Sequence, residues 1–242
     1  MAGTPMKKFL DPQYWSAVAR NPAAIIGLVA DLAPIIAVIF WGWGAAALIM
    51  LYWIENVVIG AYTVPRMIIA SVGRHGPLGL IGCIFGVPFF VFHYGMFCAV
   101  HGTFLLVLFR TQEPVIANPD MLVMLERLFM GSLSFAQHMN WIVALVVASH
   151  GAVFIFDFLL KGGWKESTFD QEMGAPYGRV VILHLGIFVI GGALMLLGDP
   201  TIGALFLVLA RAALGLHINM QPKKKPVEAI PAAPAAAASL ML

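Results

Sequence analysis

Long apolar runs alternate with short polar ones along this chain, and the runs are too long and too uniformly apolar for the one-sided helices of a soluble domain. The first crossing is expected from Ala23 to Trp43, ending on the interfacial turn Trp41-Gly42-Trp43-Gly44. A second reaches about Ala70, and Gly76-Pro77 breaks the chain before a third run, Leu78 to Phe109. That run exceeds the roughly 20 residues a bilayer requires, so it must tilt, bend or protrude, and Pro88 and Gly95 are the places for a bend. Gly82 and Gly86, four apart, would allow a neighbouring helix to approach closely. Within the polar interruption that follows, Met121, Met124, Leu125 and Leu128 form a stripe with Glu126 and Arg127 off it, the pattern of an interfacial helix. The fourth crossing is expected from Met139 to Leu160 and the fifth from Val180 to Leu197, with a polar loop, Lys161 to Ala175, between them. After the Gly198-Asp199-Pro200 turn a sixth ends near His217.

The predicted fold is therefore all-α: a polytopic transmembrane helix bundle of about six spans, with an interfacial helix between spans 3 and 4. Residues 1–22 form a cytoplasmic or interfacial N-terminal segment, 23–219 the membrane domain, and 220–242 a Lys/Pro/Ala-rich tail with the composition of a disordered segment. Composition supports the class: 61% of residues are hydrophobic and only 11% charged, too little charge to coat a soluble domain. The formal net charge of +2 comes from short basic clusters, which speak to topology and not to nucleic acid. Lys7, Lys8, Arg20, Arg66, Arg74, Lys161, Lys165, Arg179 and the terminal lysines all fall on one side if both termini are cytoplasmic, against Arg110 and Arg127 on the other. Cys83 and Cys98 lie inside apolar runs and read as small buried hydrophobes, not as a disulfide framework.

Polar groups inside those runs carry the candidate chemistry. Glu55 and Asn56 lie in the second, His93 and His101 in the third, His150 and Asp157 in the fourth, His184 in the fifth and Arg211 in the sixth. Ionisable residues at such depth are costly and usually face a bundle interior. Counting about 1.5 Å per residue from the outer ends places Glu55, His101, His150 and Arg211 roughly 12–17 Å down, in one layer. His93 and His184 fall about 20–24 Å down, in a second. His93 and His101, eight apart, diverge by roughly 80° on a straight helix and cannot chelate one ion together. Each group also has a structural reading: Glu55 as an ion-pair partner of Arg211, the imidazoles as hydrogen-bond links between helices, and Asp157 as a partner of Lys161.

Three classes of function follow. The first is a metal- or haem-binding membrane enzyme, with His101, His150 and Glu55, and also His93 and His184, as ligands for a transition metal. No His-x-x-x-His or His-Glu-x-x-His occurs, so each ligand would have to come from a different helix. The second is a small transporter or proton path. The third is a structural or assembly subunit of a membrane complex. The bilayer is the expected partner, a homo-oligomer or membrane complex is open, and whether the chain is an enzyme is not fixed by its residues.

Taken together, Leu51-Tyr52-Trp53-Ile54-Glu55-Asn56, Phe92-His93-Tyr94-Gly95 through His101-Gly102, Pro176-Tyr177-Gly178-Arg179 with His184, and the Arg211 to His217 segment resemble a family of bacterial multi-spanning membrane proteins known as a domain of unknown function. The resemblance covers roughly Ala23 to His217. It implies a bacterial inner-membrane location and brings no activity with it. An acidic residue often stands in that family where this chain has Gly215, which weakens any carboxylate partner for Arg211 on the last helix.

Overall fold

The computed structural model describes residues 22–108, 120–178 and 180–181, together with Ser16, Ala19 and Arg20. The described residues are helical and contain no strand. The rest of the N-terminal segment, the fifth span beyond Val181, the sixth span, and with them His184, Arg211 and the tail, lie outside the described residues.

Helix α1 is Pro22–Trp41, α2 is Ala45–His75 and α3 is Gly79–Leu108, with a single 3-10 turn, Gly76–Leu78, joining the last two. Each of the three keeps its helical course through one internal proline, Pro34, Pro65 and Pro88. Helix α4, Met121–Ser132, starts on Asp120, whose carboxylate accepts from the Leu122 and Val123 amides at 2.9 and 3.4 Å. That satisfies two of the donors a helix start leaves open. Helix α5, Met139–Ala152, continues as a π-helical segment, Val153–Leu160, closed by a Lys161 N–H to Phe156 carbonyl bond of 2.9 Å. This wider winding was not foreseen for the fourth apolar run, which periodicity renders as one α-helix.

The expected polar loop after it is also structured. It holds α6, Gly163–Glu166, and α7, Phe169–Gly174. A reciprocal cap nucleates α7: the Gln171 amide donates to Thr168 Oγ1 at 3.3 Å, and the Thr168 amide donates to Gln171 Oε1 at 3.1 Å. Trp164 lies over Gly73 of α2, and Phe169 lies over Gly86 of α3, so both short helices are pinned to the ends of the long ones. Gly86 thus admits a ring from this connecting segment, while among the described residues nothing lies within 4 Å of a Cβ at Gly82.

Helix α2 is the axis of the assembly. Every residue from Ala47 to Asn56 is buried, as a helix surrounded by others must be. It packs antiparallel to α3: Ser71 meets Gly79, Gly60 meets Tyr94, and Trp53 meets Cys98 and Gly102. Its pairing with α5 runs the other way, Glu55 with His150 and Arg66 with Phe158, so α2 and α5 are parallel. At the opposite end from α6 and α7, Trp43 Nε1 donates to the Gln137 carbonyl at 2.9 Å and ties the α1–α2 turn to the start of α5. Outward faces are apolar: Ile81, Phe85, Phe89, Phe92, Met96, Val100 and Phe104 make a continuous exposed stripe on α3. Val29, Ile36, Ile39 and Phe40 are exposed on α1. Two helical stretches, Ala45–Leu106 and Met139–Leu160, are long and apolar enough to cross a membrane, and Ile25–Trp41 is a shorter apolar helix.

The α2–α3 contact depends on absent side chains. A Cβ at Gly60 would sit 2.6 Å from Tyr94 Cε1. The ring cannot swing aside without breaking the 3.0 Å bond its hydroxyl donates to the Asn56 carbonyl. Gly60→Ala is expected to cost about 1–3 kcal/mol through overpacking. Gly82→Ala, with nothing within 4 Å among the described residues, is expected to be neutral. Thermal unfolding of the two detergent-purified variants checks the contrast, and equal melting temperatures would remove this account of the helix contact.

Candidate functional site

Glu55 lies in the fully enclosed half of α2 and is 6% exposed. Its Oε1 is 3.2 Å from Nε2 of His150 on α5. One proton lies between them: with Glu55 ionised the carboxylate accepts from Nε2–H, and with Glu55 protonated its hydroxyl donates to a bare Nε2. The pair joins two parallel helices. Asn56, next in sequence, turns away from it: its Nδ2 donates to the Tyr52 carbonyl at 3.1 Å, one turn back in the same helix.

The two histidines of α3 face different surroundings, as their spacing requires. His101 is buried, and its Nδ1 lies 2.6 Å from the Phe97 carbonyl. The carbonyl can only accept, so Nδ1 is the protonated nitrogen. Gly102 beside it makes room for the Trp53 ring, whose Nε1 donates to the Cys98 carbonyl at 2.7 Å. His93 is half-buried, stacked on Phe89, and its Nδ1 is 2.8 Å from the Tyr177 hydroxyl. Tyr177 in turn sits edge-on to Phe90 and Tyr94.

Of the residues expected to line the interior, the structure therefore brings Glu55 and His150 together and gives His93 and His101 separate partners. Asp157 lies at the rim, in a 2.7 Å ion pair with Lys161 one turn on. Among the described residues no three His, Cys, Asp or Glu side chains converge to hold a metal ion, so His101, His150 and Glu55 do not assemble as the expected metal site. Each ring has its own partner at Nδ1: the Phe97 carbonyl of its own helix for His101, and the Tyr177 hydroxyl for His93. His184, the second ligand proposed beside His93, is outside the described residues.

One charged pair was not anticipated. Arg66 holds Glu172 of α7 with two bonds, Nε to Oε2 at 2.6 Å and Nη2 to Oε1 at 3.1 Å. Its guanidinium lies 4.3 Å from the centroid of Phe158. Glu172 is buried although it belongs to a stretch that reads as a polar loop. The usable signal was the Thr168-x-x-Gln171 cap, which makes a helix there and so a face for Glu172 to share with Phe169 and Met173.

A model of a family described as "Family of unknown function (DUF6498)" matches residues 13–232. The chain belongs to this family. The match runs past both ends of the Ala23 to His217 stretch on which the resemblance was drawn, and it takes in Glu55, His150, Arg66 and Glu172. Comparisons with curated proteins and with solved structures give no match. For this DUF6498 chain, activity has to be argued from the geometry.

Burial among neighbouring rings pushes the Tyr177 phenol above its ordinary range, with a smaller push from Cys98. It therefore stays protonated at neutral pH and can donate to His93 Nδ1, which leaves the proton of a neutral His93 on Nε2. Because the folded-state value is the raised one, this contribution to stability is whole below about pH 10, the ordinary phenol value, and is lost as pH rises through the folded-state value. In alkaline ultraviolet titration, the difference between the parent and Tyr177→Phe is expected to have a midpoint above that of a free phenol. A midpoint at the ordinary value would show that the ring is not desolvated.

Proposed function

We propose that the chain is a six-span protein of the bacterial inner membrane, with both termini cytoplasmic, and that its Glu55–His150 pair is a proton-binding station on a path across the bilayer. The pair itself is the carrying observation: an acid and an imidazole, hydrogen-bonded at 3.2 Å between two helices, the acid buried and the imidazole partly so. Each charge placed at mid-bilayer costs about 2.5–3.5 kcal/mol on insertion scales, and such groups typically mark ion or proton pathways. A carboxyl and an imidazole can each bind and release a proton, and neither needs a cofactor to do so.

The packing supports the membrane reading. Exposed apolar stripes on α1 and α3 suit acyl chains far better than water. The antiparallel α2–α3 hairpin and the parallel α2–α5 pair suit successive crossings, and α4 packs along them, with Met121 and Leu125 against Gly95 and Ser132 against Met50. Arg74, Lys161 and Lys165 gather at the common end of α2 and α5, which suits a cytoplasmic face. The bacterial location comes from the family resemblance.

Purified protein in liposomes tests the reading directly. Under a potassium-diffusion potential, a trapped pH dye is expected to report proton uptake well above that of protein-free liposomes. Uptake equal to the protein-free control would sink the proposal.

A further inference from the structure

An unbroken column of side chains runs from the Glu55–His150 pair to the Arg66–Glu172 pair. The Tyr62 ring lies 6.4 Å from His150 and 5.9 Å from Phe154. Phe154 stacks on Phe158 at 5.8 Å, and Phe158 lies 4.3 Å under the Arg66 guanidinium. Tyr62 is fixed by its hydroxyl, which donates to the Val147 carbonyl at 3.2 Å, and by Gly151, which leaves room for that hydroxyl. Three aromatic rings thus separate the two pairs, and the one polar group they carry, the Tyr62 hydroxyl, is engaged.

Both phenylalanines belong to the π-helical segment Val153–Leu160, which begins three residues after His150, at the end of α5. π-helical turns are rare and concentrate at functional sites, because the extra residue per turn can be taken up or released by a local change of winding. Arg66 also reaches Glu172 on α7, so the column is latched from outside by the α6–α7 connection. Narrow apolar constrictions stop ions and protons by excluding water, and they conduct when the lining rings move apart.

We propose that Tyr62, Phe154 and Phe158 form the inner gate of the path to Glu55 and His150, and that the Arg66–Glu172 ion pair is the latch that holds it shut. The gate controls water access from the end of the bundle that carries α6 and α7. This deepens the proton-path reading and rests on it for its physiological meaning, but access can be measured without any flux.

The readout is alkylation of Ser149→Cys, a buried position beside His150, in protein whose native Cys83 and Cys98 are replaced by alanine. A small, charged methanethiosulfonate reagent is applied to the α6–α7 side of oriented vesicles. With the latch intact, labelling is expected to be slow. Glu172→Gln and Phe158→Ala are each expected to speed it at least tenfold, and the reversed pair Arg66→Glu with Glu172→Arg is expected to restore the slow rate. Arg66→Lys, which keeps the charge and loses the two-pronged contact, gives an intermediate rate and serves if Glu172→Gln does not fold. Rates unchanged in Glu172→Gln, Phe158→Ala and Arg66→Lys would overturn the gate. Labelling that responds as expected in protein that conducts no protons would keep the gate and overturn only the proton-path reading.

Discussion

Truncating Glu172 to alanine is expected to destabilise the protein by about 3 kcal/mol or more, the largest effect foreseen for any charged side chain outside the spans' centres. The loss is not the value of an ion pair in itself. Glu172 is buried and Arg66 half-buried, so removing the carboxylate strands a guanidinium that has already given up water and retains only the face of Phe158. Lys161→Ala is the comparison: it breaks an ion pair of similar length, 2.7 Å, but one whose lysine is 55% exposed. A pair one turn apart on an exposed helix surface contributes roughly 0.3–0.5 kcal/mol. Thermal unfolding in one detergent orders the two. A double-mutant cycle with Arg66→Ala then separates coupling from burial, because the second truncation removes the stranded charge and is expected to restore much of the stability. Similar small shifts for Glu172→Ala and Lys161→Ala would mean that α7 does not seal the end of the bundle.

That contrast also shows where the chain was legible and where it was not. The long helices were plain, because apolar runs long enough to cross a bilayer and broken at Gly76-Pro77 leave little freedom in what they form. Glu55 and His150 were placed in one layer by counting rise per residue, and the structure joins them. The pairing of His101 was out of reach, since a histidine that bonds the carbonyl four residues back in its own helix has the same sequence signature as one that reaches across to a neighbour. Glu172 was hidden for a different reason. Its burial depends on α7 folding back over α2, a tertiary event, whereas local polarity spells a solvated loop. The π-helical winding after His150 has no local mark either: Val153-Phe154-Ile155-Phe156 is as compatible with an α-helix.

Replacing Glu55 by Gln is expected to abolish proton uptake while leaving the fold nearly as stable as before, and that separation is the sharpest test of what the pair is for. The side-chain amide keeps the shape of the carboxyl and an oxygen that accepts from His150 Nε2, so the link between α2 and α5 survives. Isosteric exchange of a satisfied group is expected to cost no more than about 1 kcal/mol, the net worth of one hydrogen bond. The amide has no proton to release at any accessible pH, so a path that runs through Glu55 closes completely, and uptake falls to that of empty liposomes. Glu55→Ala removes both functions: it leaves the His150 donor unsatisfied in the interior, which costs about 1–3 kcal/mol, and it stops uptake as well. A purely structural pair predicts the opposite pattern, with Glu55→Gln conducting whatever the parent conducts and only Glu55→Ala impaired, through loss of folded protein. Melting temperature and uptake measured on the same three preparations therefore decide between a proton station and a rivet between two helices.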